Sequence, residues 1–279
     1  MPVMLLVVFC YTLCSLNDKY AVSRCLYDRH ELMFLMASGT VVFLGCTLPF
    51  YDLSFEWSPR ILIPIAGITF IKYTEFAVLP SILREMSPFQ LKSWVGLTLF
   101  ISYFTDVIFY DASLSVLCLT FIAVTFAGLA AAARADRRST NYKKIWLHLT
   151  VYILMKYGYG LVMRSTGSIL PNTLTLFFSL IIIAVISFLR IDIRKMLSKP
   201  MGRKGALIVL LAKLPNTAGL LGENYTAARS LSNYSFIQPL ILVVLFILTL
   251  ADRRNKLPKL SIIGGAVTVA GIVGFQIVK

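Results

Sequence analysis

The sequence predicts an all-α membrane protein: ten transmembrane helices arranged as two inverted five-helix repeats around a central cavity. Three observations predict it. Ten apolar runs long enough to cross a bilayer follow one another with short connectors. Hydrophobic residues make up 58% of the 279, above the about 45–50% of soluble domains, and mean hydropathy is +0.79. Short segments of the first half recur in the second, in the same order, at an offset of roughly 140 residues.

The first run covers 2–21. It carries Asn17, Asp18 and Lys19 in a row, where a span should still lie in lipid. Polar groups at that depth cost several kcal/mol unless they face protein or a water-filled cavity. The second run covers 31–50. The third, 61–83, contains Lys72, Tyr73, Thr74 and Glu75. The fourth covers 90–109 and the fifth 113–133. A basic connector with Arg134, Arg137, Arg138, Lys143 and Lys144 leads to the sixth, 145–163. In it His148, Tyr152, Lys156 and Tyr159 form one helical stripe. The seventh covers 169–189. A second basic connector, with Arg190, Arg194, Lys195, Lys199, Arg203 and Lys204, precedes the eighth, 205–227. The eighth holds Lys213, Asn216, Thr217, Glu223 and Asn224, with Pro215 as a helix breaker. The ninth covers 234–251 and the tenth 260–278.

The halves are expected at 1–139 and 140–279. Ala123–Gly128 (AVTFAG) matches Ala266–Gly271 (AVTVAG). Arg84-x-x-Ser87 matches Arg229-x-x-Ser232, and Lys19-Tyr20 matches Lys156-Tyr157. Five spans per copy is an odd number, so the copies face opposite ways, and a site is expected at their interface.

These features resemble the drug/metabolite transporter superfamily in its ten-helix form with two EamA domains. The resemblance covers essentially the whole chain. It rests on the Asn-x-Lys-Tyr segment, residues 17–20, and on Gly264-Gly-Ala-Val-Thr-Val-Ala-Gly271. Where that family often has a Gly-Glu-Arg-like turn, this chain has Ala251-Asp252-Arg253-Arg254 and Tyr110-Asp111-Ala112. The resemblance implies a basket of ten helices with a central cavity and transport by alternating access. It implies no particular substrate.

The polar stripes turn inward on this reading. The substrate-binding candidates are Asn17, Lys19, Lys72, Tyr73, Glu75, Tyr152, Lys156, Tyr159, Lys213, Asn216, Glu223 and Asn224. Candidates for proton coupling are Asp18, Glu75 and Glu223. Lysines Lys19, Lys72, Lys156 and Lys213 outnumber these carboxylates by one, which fits a substrate with a carboxylate or phosphate. The bland alternative makes Lys72–Glu75 and Lys213–Glu223 neutralising pairs that hold helices together. His148 reads as an interfacial residue. Replacing Lys156 or Lys213 by Met is expected to abolish transport and leave folding intact.

The expected function is a secondary transporter of a small polar or amphiphilic metabolite. A flippase for a lipid-linked phosphate or sugar, and a non-transporting scaffold, stay open as alternatives. No enzyme chemistry, cofactor or metal is expected. The five cysteines form no CxxC pair and read as packing residues. The sequons at Asn224 and Asn233 read as chance matches. The partners expected are substrate and membrane lipid, not nucleic acid, for a monomer or homodimer. The net charge of +14 resides mostly in alternate connectors, which is the positive-inside pattern. Those connectors hold Arg24, Arg29, Arg84, Arg253, Arg254, Lys256 and Lys259 besides the two basic stretches; the others hold little beyond Arg60, Arg164 and Arg229, with Asp52 and Glu56. The basic connectors are therefore expected in the cytoplasm, with both termini outside a bacterial plasma membrane. A cysteine at Ser139 is expected to be protected from an impermeant maleimide, and one at Ser54 labelled.

Overall fold

The structure, a computed structural model, describes residues 2–50, 55–135, 142–199, 201–251 and 258–278. Arg137, Arg138, Ser139, Asp52, Ser54, Asp252, Arg253, Arg254 and Lys256 lie outside the described residues. The described chain is helical, in the order α1 Pro2–Arg24, α2 Arg29–Thr47, α3 Leu62–Glu85, α4 Pro88–Val95, α5 Thr98–Phe109, α6 Val116–Ala135 and α7 Tyr142–Thr166. There follow α8 Asn172–Phe188, α9 Ile193–Ser198, α10 Gly202–Leu211, α11 Lys213–Arg229, α12 Leu231–Ala251 and α13 Lys259–Val278.

A cluster of charged side chains lies inside an otherwise apolar core, while large apolar side chains face outward. Asp18, Lys72, Glu75, Lys92, Lys156, Lys213 and Glu223 are buried. Leu5, Phe9, Phe70, Phe109, Val185 and Ile263 are exposed. Charged side chains are almost never buried unpaired, and broad apolar surfaces need a non-aqueous partner. Val3–Arg24, Arg29–Phe50, Pro59–Glu85 and Gly202–Arg229 are each long and apolar enough to cross a membrane. Several shorter apolar helices accompany them. The protein is thus compatible with an integral membrane location.

Two of the ten apolar runs are broken. The fourth splits at Gly96 and Leu97, where hydrogen bonds tighten: Leu97 N–H reaches the Trp94 carbonyl at 3.1 Å and Leu99 N–H the Gly96 carbonyl at 3.1 Å. The eighth splits at Ala212, between α10 and α11. Pro215 causes that break, since it has no N–H to give and its ring crowds the carbonyl four residues back, Leu211. The neighbouring Ala212 carbonyl is met by the Cys14 thiol at 3.4 Å. Lys213 therefore stands at the start of a new helix, in mid-bundle. The α7 helix is 25 residues long and carries Lys143, Lys144, Lys156 and Arg164, and it is not among the helices apolar enough to cross a membrane by composition.

Helix starts follow local chemistry. Asp28 caps α2, accepting from the His30 and Glu31 amides at 2.9 Å, and the Asp28 amide donates in turn to Glu31 Oε2 at 2.8 Å. Ser87, singled out in the Arg84-x-x-Ser87 motif, does the same for α4 with Gln90. In the second half the cap is Ser230, which accepts from the Asn233 amide at 3.3 Å.

The main pairings are α6 with α13, α3 with α7, α2 with α8, and α1 with α11. Each joins a helix before residue 139 to one after it. The α6–α13 contact is backbone against backbone. A Cβ at Gly128 would lie 2.6 Å from the Thr268 amide nitrogen, and one at Gly271 would lie 2.7 Å from that of Thr125. Glycine is required at both crossings, as in close helix pairs in lipid. Those residues belong to the two matching segments, AVTFAG and AVTVAG, and the contact is reciprocal.

Candidate functional site

A cavity of about 70 Å³ lies among α1, α2, α3, α4, α7, α8 and α11. Side chains from mid-helix line it, and its wall continues to Leu83, Pro88 and Leu91 at the end bearing the basic connectors. Lys72, Lys92, Lys156 and Lys213 face it from four helices, against the carboxylates of Asp18 and Glu75. The volume is on the order of two waters.

Glu75 is the hub. One carboxylate oxygen meets Lys156 Nζ at 2.7 Å and the other meets Lys72 Nζ, one turn earlier on α3, at 3.1 Å. Lys72 Nζ also lies 4.0 Å from the centre of the Tyr159 ring, in cation–π geometry. Across the cavity, Lys213 Nζ donates to Asp18 Oδ1 at 3.0 Å. Lys213 is completely buried. The Lys213–Glu223 pair expected as a neutralising contact does not form: the two residues are ten apart on α11, about 15 Å along the axis, and Asp18 on α1 takes the ammonium.

A second polar layer lies next to this cavity, away from the basic end. Tyr11 OH donates to Glu223 Oε2, and Tyr159 OH donates to Asn224 Oδ1 at 2.6 Å. Tyr234 OH donates to the Lys156 carbonyl at 2.8 Å. Glu223 Oε1 and Asn224 Nδ2 are buried without a hydrogen bond. Asn224 is inside the bundle, which disposes of its sequon.

The structure thus brings Lys72, Glu75, Tyr152, Lys156, Lys213 and Asn216 to one cavity with Asp18. It puts Tyr159, Glu223 and Asn224 in the adjoining layer. Three candidates stand elsewhere. Lys19 Nζ donates to the Leu83 and Met86 carbonyls, capping the C-terminal end of α3. Tyr73 OH accepts from Arg190 at 3.1 Å on the outer surface. Asn17 is half-buried, with Nδ2 making no hydrogen bond. His148 is half-buried, near the basic end.

Sequence reasoning missed Lys92 and Tyr11. Lys92 opens the fourth apolar run, where a lysine that snorkels to the surface and one that turns inward have the same sequence signature. The capped start at Ser87-Pro88 was the available signal, since it puts Lys92 inside the first turns of α4. Tyr11 sits in the apolar part of the first run, six residues before Asn17, with nothing in the sequence to mark it.

No family model and no curated protein matches the chain. A solved structure described only as a crystal structure of a protein is similar, with a TM-score of 0.68 and 13% identity, over 99% of this chain and 96% of that one. The likeness is one of fold.

Proposed function

We propose that this chain is a secondary transporter of a small organic anion, of the drug/metabolite transporter kind, working by alternating access between two inverted five-helix repeats. The observation that carries the reading is the cavity itself: among the described residues four lysines from four helices face it with Asp18 and Glu75, and Glu223 stands in the adjoining layer. An excess of ammonium groups in a desolvated site suits a carboxylate or phosphate.

The pairing of helices supports the inverted repeat. Counting α4–α5 and α10–α11 as one broken span each gives ten spans. A two-fold exchange of the halves turns the α6–α13 and α2–α8 pairs into themselves and swaps α3–α7 with α1–α11. All four pairs are prominent in the bundle. The reciprocal Gly128–Thr268 and Gly271–Thr125 crossings have the same symmetry.

The test is thermal unfolding of the purified protein with panels of carboxylates, sugar phosphates, amino acids and neutral solutes. An anion at 100 times its Kd should add about 2.7 kcal/mol of stability. Stabilisation by an anion in the wild type, lost in Lys156→Met, is the expected result. Stabilisation by neutral or cationic solutes alone would overturn the reading.

One observation favours a second reading, a flippase for a lipid-linked phosphate. An apolar groove of about 580 Å³ runs between α3 and α8 on the outer surface, bordered by Tyr73 and Arg190. A lipid-linked phosphate that stabilises the protein better than its water-soluble headgroup would support that reading.

Orientation follows the charges, with the basic connectors cytoplasmic. Exposed Ser198 and Glu56 stand on opposite sides on this reading and report the orientation as Ser139 and Ser54 do. In a cysteine-free background and intact cells, Glu56→Cys should react with an impermeant maleimide and Ser198→Cys should be protected. The reverse pattern means cytoplasmic termini.

A further inference from the structure

A second cluster of charged side chains stands at the end of the bundle away from the basic connectors. Asp106, near the end of α5, is ion-paired with Arg164, near the end of α7. The Arg164 guanidinium lies 3.4 Å from the centre of the Tyr110 ring. Ser230 Oγ donates to Asp106 Oδ2 at 3.3 Å, Tyr110 OH is 3.3 Å from Ser165 Oγ, and Tyr157 OH is 2.7 Å from Thr105 Oγ1. Each of these contacts ties α5 or the residue that ends it to α7 or to the α11–α12 junction. They therefore cross between the halves.

The cluster borders a polar pocket of about 340 Å³ that also holds Arg229, Ser113 and Ser115. Arg229 lies over the Tyr225 ring at 4.3 Å. Among the described residues the pocket has two arginines against one carboxylate. Arg164 is eight residues, about 12 Å, along α7 from Lys156 in the lysine cavity. Tyr157 and Tyr159 lie between them on the same helix, one bonded to α5 and the other to α11.

We propose that this pocket is a loading site for a small oxyanion, and that the Asp106–Arg164 pair is the latch closing the way from it to the lysine cavity. The inference rests on the transport reading above. The Arg164 guanidinium meets Asp106 Oδ1 through one nitrogen, while Asp106 Oδ2 takes the Ser230 hydroxyl, and the same guanidinium can donate to the oxygens of a carboxylate or phosphate. An incoming anion that takes over Arg164 keeps the cation paired while freeing α5 from α7. Arg229 and the serine hydroxyls supply the remaining donors. The latch is partly accessible, with the Arg164 side chain 16% exposed. Tyr110, part of the turn that stands in place of the Gly-Glu-Arg-like motif, thereby has a use as the platform under Arg164.

The experiment uses Cys14, which is 4% exposed and lines the lysine cavity. The other four cysteines are replaced by alanine. Reaction with an impermeant maleimide is followed in sealed right-side-out and inside-out vesicles, so that the reagent reaches one end at a time. From the Arg164 end, Asp106→Asn should speed labelling of Cys14 by about fivefold or more, the low end of ordinary coupling between sites. Tyr110→Ala, which removes a half-buried platform and leaves the pair, should give a smaller rise. Glu85→Gln, which breaks the Lys144 pair at the basic end, should leave labelling from the Arg164 end unchanged. Inorganic phosphate should speed labelling in the otherwise native protein and fail to do so in Arg229→Gln. If Asp106→Asn and Tyr110→Ala both elute as folded protein and label at the original rate, the latch is wrong. If phosphate has no effect, the pocket is no oxyanion site. Neither failure touches the thermal-shift test of the lysine cavity, which does not depend on which end opens.

Discussion

Lys213→Met is expected to cost about 3–5 kcal/mol of stability, and most of that loss should return when Asp18→Asn is added. Lys213 is fully buried and its ammonium is 3.0 Å from Asp18 Oδ1. Removing the lysine alone leaves a buried carboxylate without its cation. Removing both charges leaves an amide beside a thioether, which the interior tolerates. Thermal or denaturant unfolding in detergent reads the cycle. Because Lys213 is paired with Asp18, Lys213→Met is expected to destabilise the fold as well as to abolish transport. The double variant also separates the transporter from the scaffold. A scaffold uses Lys213 only to hold α1 against α11, so Lys213→Met/Asp18→Asn should function normally. A transporter uses it for the substrate, so anion stabilisation should stay lost although the fold is restored. Recovered anion binding in the double variant would remove Lys213 from the site.

Much of this was legible because the signals were local. Lys72 and Glu75 are one turn apart, so their pairing follows from helix geometry alone. Pro215 marks the break before α11, and Ser87-Pro88 marks the start of α4. The outward apolar and inward polar faces follow from the cost of burying charge in lipid. What was not legible depended on partners distant in sequence. Asp18 finds Lys213 nearly two hundred residues away, and Tyr11 finds Glu223. Nothing in a single sequence picks out Asp18 as the partner of Lys213, although the ten-residue spacing on one helix already forbids Glu223. Lys19 shows the converse. Its place beside Asp18 suggests the cavity, but the carbonyls left open where α3 stops at Glu85 capture it.

Glu75→Gln should be the most damaging single change in the cavity. Its two carboxylate oxygens hold Lys72 and Lys156, both buried. A glutamine amide can keep a hydrogen bond to one ammonium but supplies no charge to either. Two neighbouring ammonium groups would then repel each other in a space with little water, with only the Tyr159 ring at 4.0 Å from Lys72 and the Tyr152 ring at 5.9 Å from Lys156 in compensation. Breaking one buried pair costs about 3–5 kcal/mol, and here two are broken at one residue, so the loss should exceed that of Lys156→Met. The same change makes the cavity more attractive to anions. Inorganic phosphate should therefore stabilise Glu75→Gln more than it stabilises the wild type, in proportion to the affinity gained. Lys72→Met in the Glu75→Gln background should recover stability and reduce the phosphate effect together. Unfolding midpoints of the four proteins, with and without phosphate, decide the matter. A Glu75→Gln protein as stable as the wild type would mean that the lysines are not held by Glu75. A destabilised one that phosphate fails to rescue would mean that the cavity does not admit anions, and the substrate would have to be sought among neutral or cationic solutes.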